Sequence, residues 1–235
     1  MSFKEASRKD VRIKACIAGL SGAGKTYGAL SIFKGLLSDM GSLGIVQTES
    51  GRAQLYTDKF GKFKVLELTP PFTPQSFINA IDEAEKAGLK ALILDSLSDE
   101  WAGLGGALDM HQDACEVVKN SFTAWKRVTP KHEALFNKIL SSPLHIIATL
   151  KKKSDYVMET VKNRQGKEVQ QPKKVGVANV AREGTEYRWM IQFDVDRETH
   201  LAITDKDNTG LFDGRKPFLL DESVGKEIRE WCLKE

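Results

Sequence analysis

The residues best suited to chemistry lie in a glycine-rich segment near the N-terminus. Residues 19–26 read GLSGAGKT and match the pattern G-x-x-x-x-G-K-[ST] in full. Glycines in this pattern let backbone N–H groups turn towards phosphate oxygens, and the following helix adds partial positive charge. We predict that Lys25 reaches the β- and γ-phosphates and that Thr26 binds Mg²⁺, whereas the alternative is a chance glycine-rich turn. The predicted nucleotide contacts are Gly19, Ser21, Gly22, Ala23, Gly24, Lys25 and Thr26.

Two carboxylates follow predicted strands and are candidates for the metal and the attacking water. Asp95 ends the apolar run ALIL, and an acid at the tip of a core strand lies beside the ligand crevice of a parallel sheet. We predict that Asp95 holds Mg²⁺ through water, with a helix N-cap as the alternative. Glu49 ends another predicted strand and is a candidate base for water. An ordinary surface glutamate is the alternative there, and Asp99 and Glu100 are rival bases.

Strands and helices alternate over the first part of the chain. Short apolar runs predict buried strands at 11–18, 43–47, 64–68, 90–95 and 145–150. Apolar residues at helical spacing predict helices at 25–37, 74–87, 109–125 and 130–140. This order predicts an α/β fold with a mostly parallel sheet between helices.

The pattern changes after residue 150. Residues 151–174 are polar and basic and are predicted to form a loop. Residues 187–206 predict an antiparallel β-hairpin around the turn DRET, and residues 223–233 predict a closing helix. We find no internal repeat and no linker. The chain is therefore predicted to be one domain over 1–235, with an N-terminal extension at 1–10.

Composition excludes several classes of protein. The chain is 41% hydrophobic and 29% charged, which is the balance of a soluble globular domain. Its three cysteines are far apart in the sequence, which argues against a disulfide framework or a zinc site. The first residues, MSFKEASRKD, lack the apolar run of a signal peptide, and no stretch approaches membrane-spanning length. We expect a cytoplasmic protein without a membrane partner.

Three segments together resemble a known ATPase core. GLSGAGKT, IVQTESGRAQLY and ALILDS resemble the RecA-type ATPases in order and spacing. The resemblance implies a RecA-like fold, ATP as the nucleotide, and Glu49 as the catalytic base. It also implies that Tyr56 stacks on adenine, for which simple packing is the alternative.

Later segments are similar to small RecA-like proteins of bacteriophages that anneal single-stranded DNA. The residues that carry this likeness are HIIATLKKKSDYV, PKKVGVANVAREGTEYRW and TDKDNTGLFDG. The resemblance implies single-stranded DNA binding and annealing in phage recombination or replication, inside the host cytoplasm. It also implies homo-oligomeric rings or filaments and a single-strand-binding protein as a further partner.

Two positions depart from that pattern. Related sequences usually carry Lys-Asp-Arg where this chain has Lys206, Asp207 and Asn208. The resemblance implies that Lys206 reaches a neighbouring subunit's ATP site, and loss of the arginine predicts weak turnover that depends on assembly. A solvated strand end is the alternative for Lys206. The resemblance to RecA also implies a glutamine at the end of the strand HIIATL, where it couples nucleotide state to the DNA loops, but this chain reads Leu150-Lys151 with no glutamine, which argues against that switch.

The basic segment is a candidate DNA interface. Residues 151–174 hold eight basic and three acidic residues, although the whole chain carries only +3. Basic tracks with aromatic side chains suit single-stranded DNA, and a solvated loop is the alternative. The predicted DNA contacts are Lys151, Lys152, Lys153, Tyr156, Lys173 and Lys174.

Two other functions remain open from the sequence. One is a P-loop kinase that phosphorylates a small metabolite. The other is a non-catalytic module in which ATP only controls assembly, an option that Asn208 favours.

Overall fold

A computed structural model of the chain describes residues 5–162 and 168–234. The strands are β1 Lys14–Gly19, β2 Leu43–Gln47, β3 Lys64–Glu67, β4 Ala91–Asp95, β5 His145–Lys162, β6 Glu168–Asn179, β7 Ile191–Val195, β8 Leu201–Asp207 and β9 Phe218–Leu219. The helices are α1 Lys25–Leu36, α2 Thr57–Phe60, α3 Pro74–Lys86, α4 Ser98–Ala102, α5 Ala107–Val118, α6 Ser121–Ser141 and α7 Glu222–Leu233. Across these ranges, no helix combines the length and apolar character needed to cross a bilayer.

The strands form one mixed sheet in the order β3-β2-β4-β5-β1-β7-β8-β9, and β6 pairs with β5 outside this path. Pairing is parallel from β3 through β7 and antiparallel from β7 onwards. The predicted α/β fold with a C-terminal antiparallel hairpin is therefore confirmed. Strand β5 lies between β1 and β4, so the phosphate-loop strand and the Asp95 strand are not neighbours.

Alternate residues of the central strands face two separate apolar cores. Ile17, Ile45 and Ile93 pack on the side that carries α1 and α7. Ala18 and Leu94 pack on the opposite side, with α3 and α6. Strands covered on both faces are apolar at most positions, which explains their nearly continuous apolar runs.

Glycines bring α1 and α7 into close contact. A Cβ atom on Gly35 would lie 2.0 Å from the Glu222 carbonyl oxygen, and one on Gly225 would lie 1.9 Å from the Ile32 carbonyl oxygen. No side chain can be accommodated at such distances, so both positions require glycine. This packing fixes α1, whose first residue is Lys25 of the phosphate loop.

The predicted helix boundary near Pro130 is wrong. Helix α6 continues through Pro130, and the break falls earlier, at Lys119 and Asn120. Lys119 has a left-handed φ of 53°, and the Asn120 side chain caps α6 by accepting a hydrogen bond from the Thr123 N–H at 2.8 Å. Buried side chains on either side of Pro130, such as Val128, hold the helix together although proline lacks an N–H donor.

Outside residues 163–167, the basic segment forms strands rather than the predicted loop. Strand β5 continues past Leu150 to Lys162 and pairs with β6, with a register shift between Asp155 and Tyr156. We call residues 151–162 and 168–179 the β5–β6 ribbon. Since the ribbon continues a central strand, its first residues lie at the strand tips of the main sheet.

A buried histidine makes the fold sensitive to acid. The His145 Nδ1 atom accepts a hydrogen bond from the Ile13 N–H at 3.2 Å, which requires a neutral ring. Burial, assisted by the charges of Arg12 and Lys14, lowers the pKa of His145 from 6.5 to about 4. The unfolded chain therefore takes up this proton at a higher pH than the folded chain, and acid favours unfolding.

We predict that His145→Asn reduces the loss of stability between pH 7 and pH 5. The amide oxygen can still accept from the Ile13 N–H but does not titrate. In the wild type, this histidine should account for about 2 kcal/mol of the free energy of unfolding lost over that interval. Urea unfolding of both proteins at the two pH values measures the difference. Equal losses in the two proteins would show that His145 is not the titrating group.

Candidate functional site

The phosphate loop joins β1 to α1 and has the backbone that its glycines allow. Gly22 and Gly24 have left-handed φ angles of 81° and 93°, which residues with a side chain rarely adopt. Gly24 is the N-cap of α1, and no side chain caps this end of the helix. The first N–H groups of α1 are therefore open to an anion, as the sequence predicts.

Lys25 extends across its own loop. Its Nζ donates hydrogen bonds to the Gly19 carbonyl at 3.1 Å and the Leu20 carbonyl at 2.9 Å. Burial lowers the pKa of Lys25 from its ordinary value, while the charges of Asp95 and then Glu49 partly oppose that shift. The ammonium group is thus held among carbonyls and carboxylates at the mouth of the loop, where an anionic ligand can exchange for the carbonyls.

Asp95 is held by two hydroxyl groups from different parts of the fold. Thr26 Oγ1 donates to one carboxylate oxygen at 2.6 Å, and Thr149 Oγ1 donates to the other at 2.5 Å. Helix α4 has Leu97 as its N-cap and no side-chain cap, so Asp95 does not serve as the helix cap considered from the sequence. The structure brings together the predicted pair of Thr26 and Asp95.

Thr149 is a site residue that sequence reasoning missed. It lies on β5, the strand between β1 and β4, and is fully buried. The sequence does contain a sign of this role, since Thr149 is a polar residue inside the apolar run HIIATL. A buried hydroxyl group needs a hydrogen-bond partner.

Glu49 follows β2 and is paired with two cations. Its carboxylate contacts Arg52, and its Oε1 lies 3.3 Å from Lys151 Nζ. Lys151 also contacts both oxygens of Asp99, at 2.9 and 3.0 Å. Burial acts to lower the pKa of Lys151, but hydrogen bonds and charge from Asp99 and Glu49 raise it above its ordinary value. Lys151 is therefore a charged bridge between two carboxylates.

The two rival bases, Asp99 and Glu100, are held by hydrogen bonds and ion pairs. Asp99 accepts from Thr48 Oγ1 at 2.5 Å in addition to Lys151. Glu100 is buried and lies 3.0 Å from the His132 Nδ1 atom. Glu49 lines the cavity beside the phosphate loop, and neither rival lines it.

A cavity of about 400 Å³ adjoins these groups. Its wall includes Ser21, Gly22, Gly24, Lys25, Thr26 and Asp95. Tyr56 also lines the cavity, and its ring packs against Tyr27 and Phe60 with centroids 6.3 Å away in each case. The Tyr56 side chain therefore both packs against neighbouring aromatic rings and lines the cavity. Gly19 and Ala23 shape the loop without lining this space.

The structure describes the side chains of three of the six predicted DNA residues, Lys151, Lys152 and Lys153. Lys151 and Lys152 line the nucleotide cavity, and Lys152 Nζ lies 2.5 Å from an Asp194 carboxylate oxygen. Lys153 is exposed. In the ribbon backbone, Tyr156 is paired with Lys174, and Lys173 lies at the adjacent register position. The side chains of these last three residues lie outside what the structure describes.

Lys206 lies on β8 at the end of the C-terminal hairpin. Its Nζ donates to the Tyr187 carbonyl at 2.9 Å and the Glu186 carbonyl at 3.4 Å. It does not line the cavity of its own chain, so a role at a neighbouring subunit stays a prediction.

Comparison with known proteins places this arrangement in a family. The family model described as an AAA domain matches residues 12–183, a range that holds the phosphate loop, Glu49, Asp95 and Lys151. No curated protein matches the chain. The match covers well over half of the sequence, and the chain belongs to the AAA-domain family of P-loop proteins.

Proposed function

We propose that this protein binds Mg²⁺-ATP, hydrolyses it slowly, and uses it in binding and annealing single-stranded DNA. The observation that carries the nucleotide part is the 2.6 Å hydrogen bond between Thr26 and Asp95 beside the glycine loop. Membership of the AAA-domain family supports nucleotide use. The phage resemblance of the later segments motivates the DNA part.

The donor set at the loop suits magnesium. Mg²⁺ prefers hard oxygen ligands and commonly takes few from the protein while it retains water. Thr26 would provide a hydroxyl oxygen, and Asp95 would accept from a metal-bound water. Bound Mg²⁺ would supply positive charge to the β- and γ-phosphate oxygens. Thr149 fixes the orientation of the carboxylate, and Lys25 would leave the loop carbonyls for the phosphates.

Glu49 would orient and deprotonate the attacking water. To do so it must exchange a cation partner for the water, because Arg52 and Lys151 both contact its carboxylate. Ion pairs with this degree of exposure contribute about 1 kcal/mol or less, so the rearrangement is small in energy. We propose that the γ-phosphate attracts Lys151 and thereby releases Glu49.

Assembly would complete the catalytic site. Lys206 of one subunit would approach the phosphates of its neighbour in a ring or filament. Asn208 stands where related sequences carry arginine, so charge stabilisation from that side is reduced. We therefore propose low turnover that rises with protein concentration.

The β5–β6 ribbon is the proposed DNA interface. Its basic residues would neutralise backbone phosphates, and Tyr156 would stack on a base. Lys153, Lys173 and Lys174 are the proposed backbone contacts. We assign Lys151 and Lys152 to the nucleotide cavity rather than to DNA. Both residues line the cavity, and each is already paired with a carboxylate.

The variant Asp95→Asn tests the proposed role of Asp95 in binding Mg²⁺. We predict that the affinity for Mg²⁺-ATP falls about 10-fold to 100-fold, because the group that orients the metal-bound water is weakened. Affinity for ATP in EDTA should not fall, since the loop N–H groups and Lys25 remain. Calorimetric titration measures both, with the exposed Asp213→Asn as control. A wild-type protein that gives no heat with Mg²⁺-ATP contradicts the proposal.

Glu49→Gln tests the base. We predict a fall in the rate of ATP hydrolysis of about 100-fold or more at unchanged ATP affinity, because the amide cannot accept the proton of water. Phosphate release measures the rate, and Asp99→Asn is the comparison. A large loss in Asp99→Asn together with full activity in Glu49→Gln would assign the base to Asp99.

The same assay separates the other two functions. A small-molecule kinase would transfer phosphate to an added acceptor rather than to water. An assembly module would release no phosphate at any protein concentration, while light scattering would still show a change of mass with ATP.

The double variant Lys173→Glu, Lys174→Glu tests the ribbon. Weaker binding of a single-stranded oligonucleotide is expected, and the slope of log affinity against log salt should fall by about 0.7 for each DNA phosphate that is no longer neutralised. Lys62→Glu with Lys64→Glu makes the same charge change at exposed residues outside the ribbon and should leave the slope unaltered. Equal slopes for both double variants would remove DNA from the proposal.

A further inference from the structure

The turn between β7 and β8 lies against the outside of the phosphate loop. Strand β7 pairs with β1 so that Val195 is opposite Gly19. A Cβ atom on Gly19 would lie 2.9 Å from the Val195 carbonyl oxygen, and one on Gly22 would lie 3.9 Å from Arg197 Nε. The turn, residues 196–200, follows β7 directly, and this register places it beside the loop.

The turn ends in a histidine with an unusual backbone conformation. His200 has a left-handed φ of 57°. The Asp196 carboxylate accepts from the N–H groups of Glu198 at 3.1 Å and Thr199 at 2.8 Å. The His200 N–H donates to the Asp196 carbonyl at 3.1 Å. These bonds stabilise the turn and hold His200 in a conformation that few residues with a side chain adopt.

The His200 imidazole binds a peptide group of the phosphate loop. Its Nδ1 atom lies 3.1 Å from the Ala23 carbonyl oxygen. A carbonyl oxygen only accepts, so Nδ1 carries the proton and donates. The distance from Nδ1 to a Cβ built on Gly24 is 3.7 Å, which shows how close the ring lies to this peptide.

The geometry of the Ala23–Gly24 peptide group determines the direction of the Gly24 N–H. The Ala23–Gly24 bond is trans, so its C=O and N–H groups point in opposite directions. With the carbonyl held towards His200, the Gly24 N–H points away from the turn. Gly24 lines the nucleotide cavity, and no described residue accepts from its N–H.

We propose that His200 is a positioning residue of the nucleotide site, which holds the Ala23–Gly24 peptide so that the Gly24 N–H meets a phosphate oxygen. The proposal rests on the ATP binding proposed above. His200 itself touches no nucleotide. Loop N–H groups of this kind cradle phosphates that ATP and ADP share, so both nucleotides depend on it.

Three variants separate positioning from turn stability. His200→Asn keeps a side-chain N–H donor at the same distance from the backbone and tolerates a positive φ. His200→Gly removes the donor and relieves the backbone strain, and His200→Ala removes the donor alone. His111→Ala, a histidine in α5 away from the loop, is the control.

We expect His200→Gly and His200→Ala each to lower the affinity for Mg²⁺-ATP and for Mg²⁺-ADP about fivefold, as measured by calorimetry. This is the effect of losing one hydrogen bond of ordinary strength. His200→Asn and His111→Ala should bind like the wild type. Thermal unfolding should show His200→Gly at least as stable as the wild type, so its loss of affinity cannot come from a damaged turn. Unchanged affinity in His200→Gly, or no rescue by asparagine, overturns the proposal.

An NMR measurement without nucleotide decides the matter even if ATP binding itself fails. In protein labelled with ¹⁵N-glycine, the Gly24 amide resonance should move in His200→Gly and stay near its wild-type position in His200→Asn. A wild type that gives no heat with Mg²⁺-ATP refutes the proposed function. A Gly24 resonance that is the same in all variants refutes the role of His200.

Discussion

The hydrogen bond from Thr26 to Asp95 is the contact on which the candidate site depends. It joins the start of α1 to the tip of β4, although β5 separates β4 from the phosphate-loop strand. Thr149 on β5 closes the gap by holding the second carboxylate oxygen. The position of the acid therefore follows from strand order, and the position of Thr26 follows from the glycine-mediated packing of α1 on α7.

Ion pairs link this site to the β5–β6 ribbon. Lys151 and Lys152 are the first residues of the ribbon, and each contacts an acid of the main domain, Asp99 and Asp194 respectively. Burial raises the pKa of Asp194 above its ordinary value, and the partner Lys152 opposes this shift. The cavity and the ribbon thus share charged residues. A phosphate that draws Lys151 away from Glu49 would act on the strand that becomes the proposed DNA interface.

The sequence was most informative where a local pattern decides the structure. The glycine loop and strand β2 occur where spacing and apolar runs predict them. Sequence patterns were not sufficient where contacts between residues far apart in the sequence determine the structure. Pro130 was expected to separate two helices, but packing on both sides of it keeps α6 continuous. The DNA contact expected for Lys152 from the sequence stays a prediction, and the run of basic residues behind it contains no information about the ion pair with Asp194, more than forty residues later.

The same limit applies to Thr149 and His200. Each is an ordinary polar residue in sequence, and only the sheet register brings it to Asp95 or to the phosphate loop. Glu49 could be placed beside the cavity from its strand, but its pairing with Lys151 could not, because that lysine belongs to another strand of the sheet.

We propose that the Thr26 hydroxyl and the Asp95 carboxylate together hold the cation of a bound nucleotide. Electron paramagnetic resonance of Mn²⁺ in the presence of ATP tests it directly, because bound and free Mn²⁺ give distinct signals. We expect tight Mn²⁺ binding by the wild type and by Thr26→Ser, and a clear loss of Mn²⁺ binding in Thr26→Val. Equal Mn²⁺ binding by the valine variant and the wild type would contradict it.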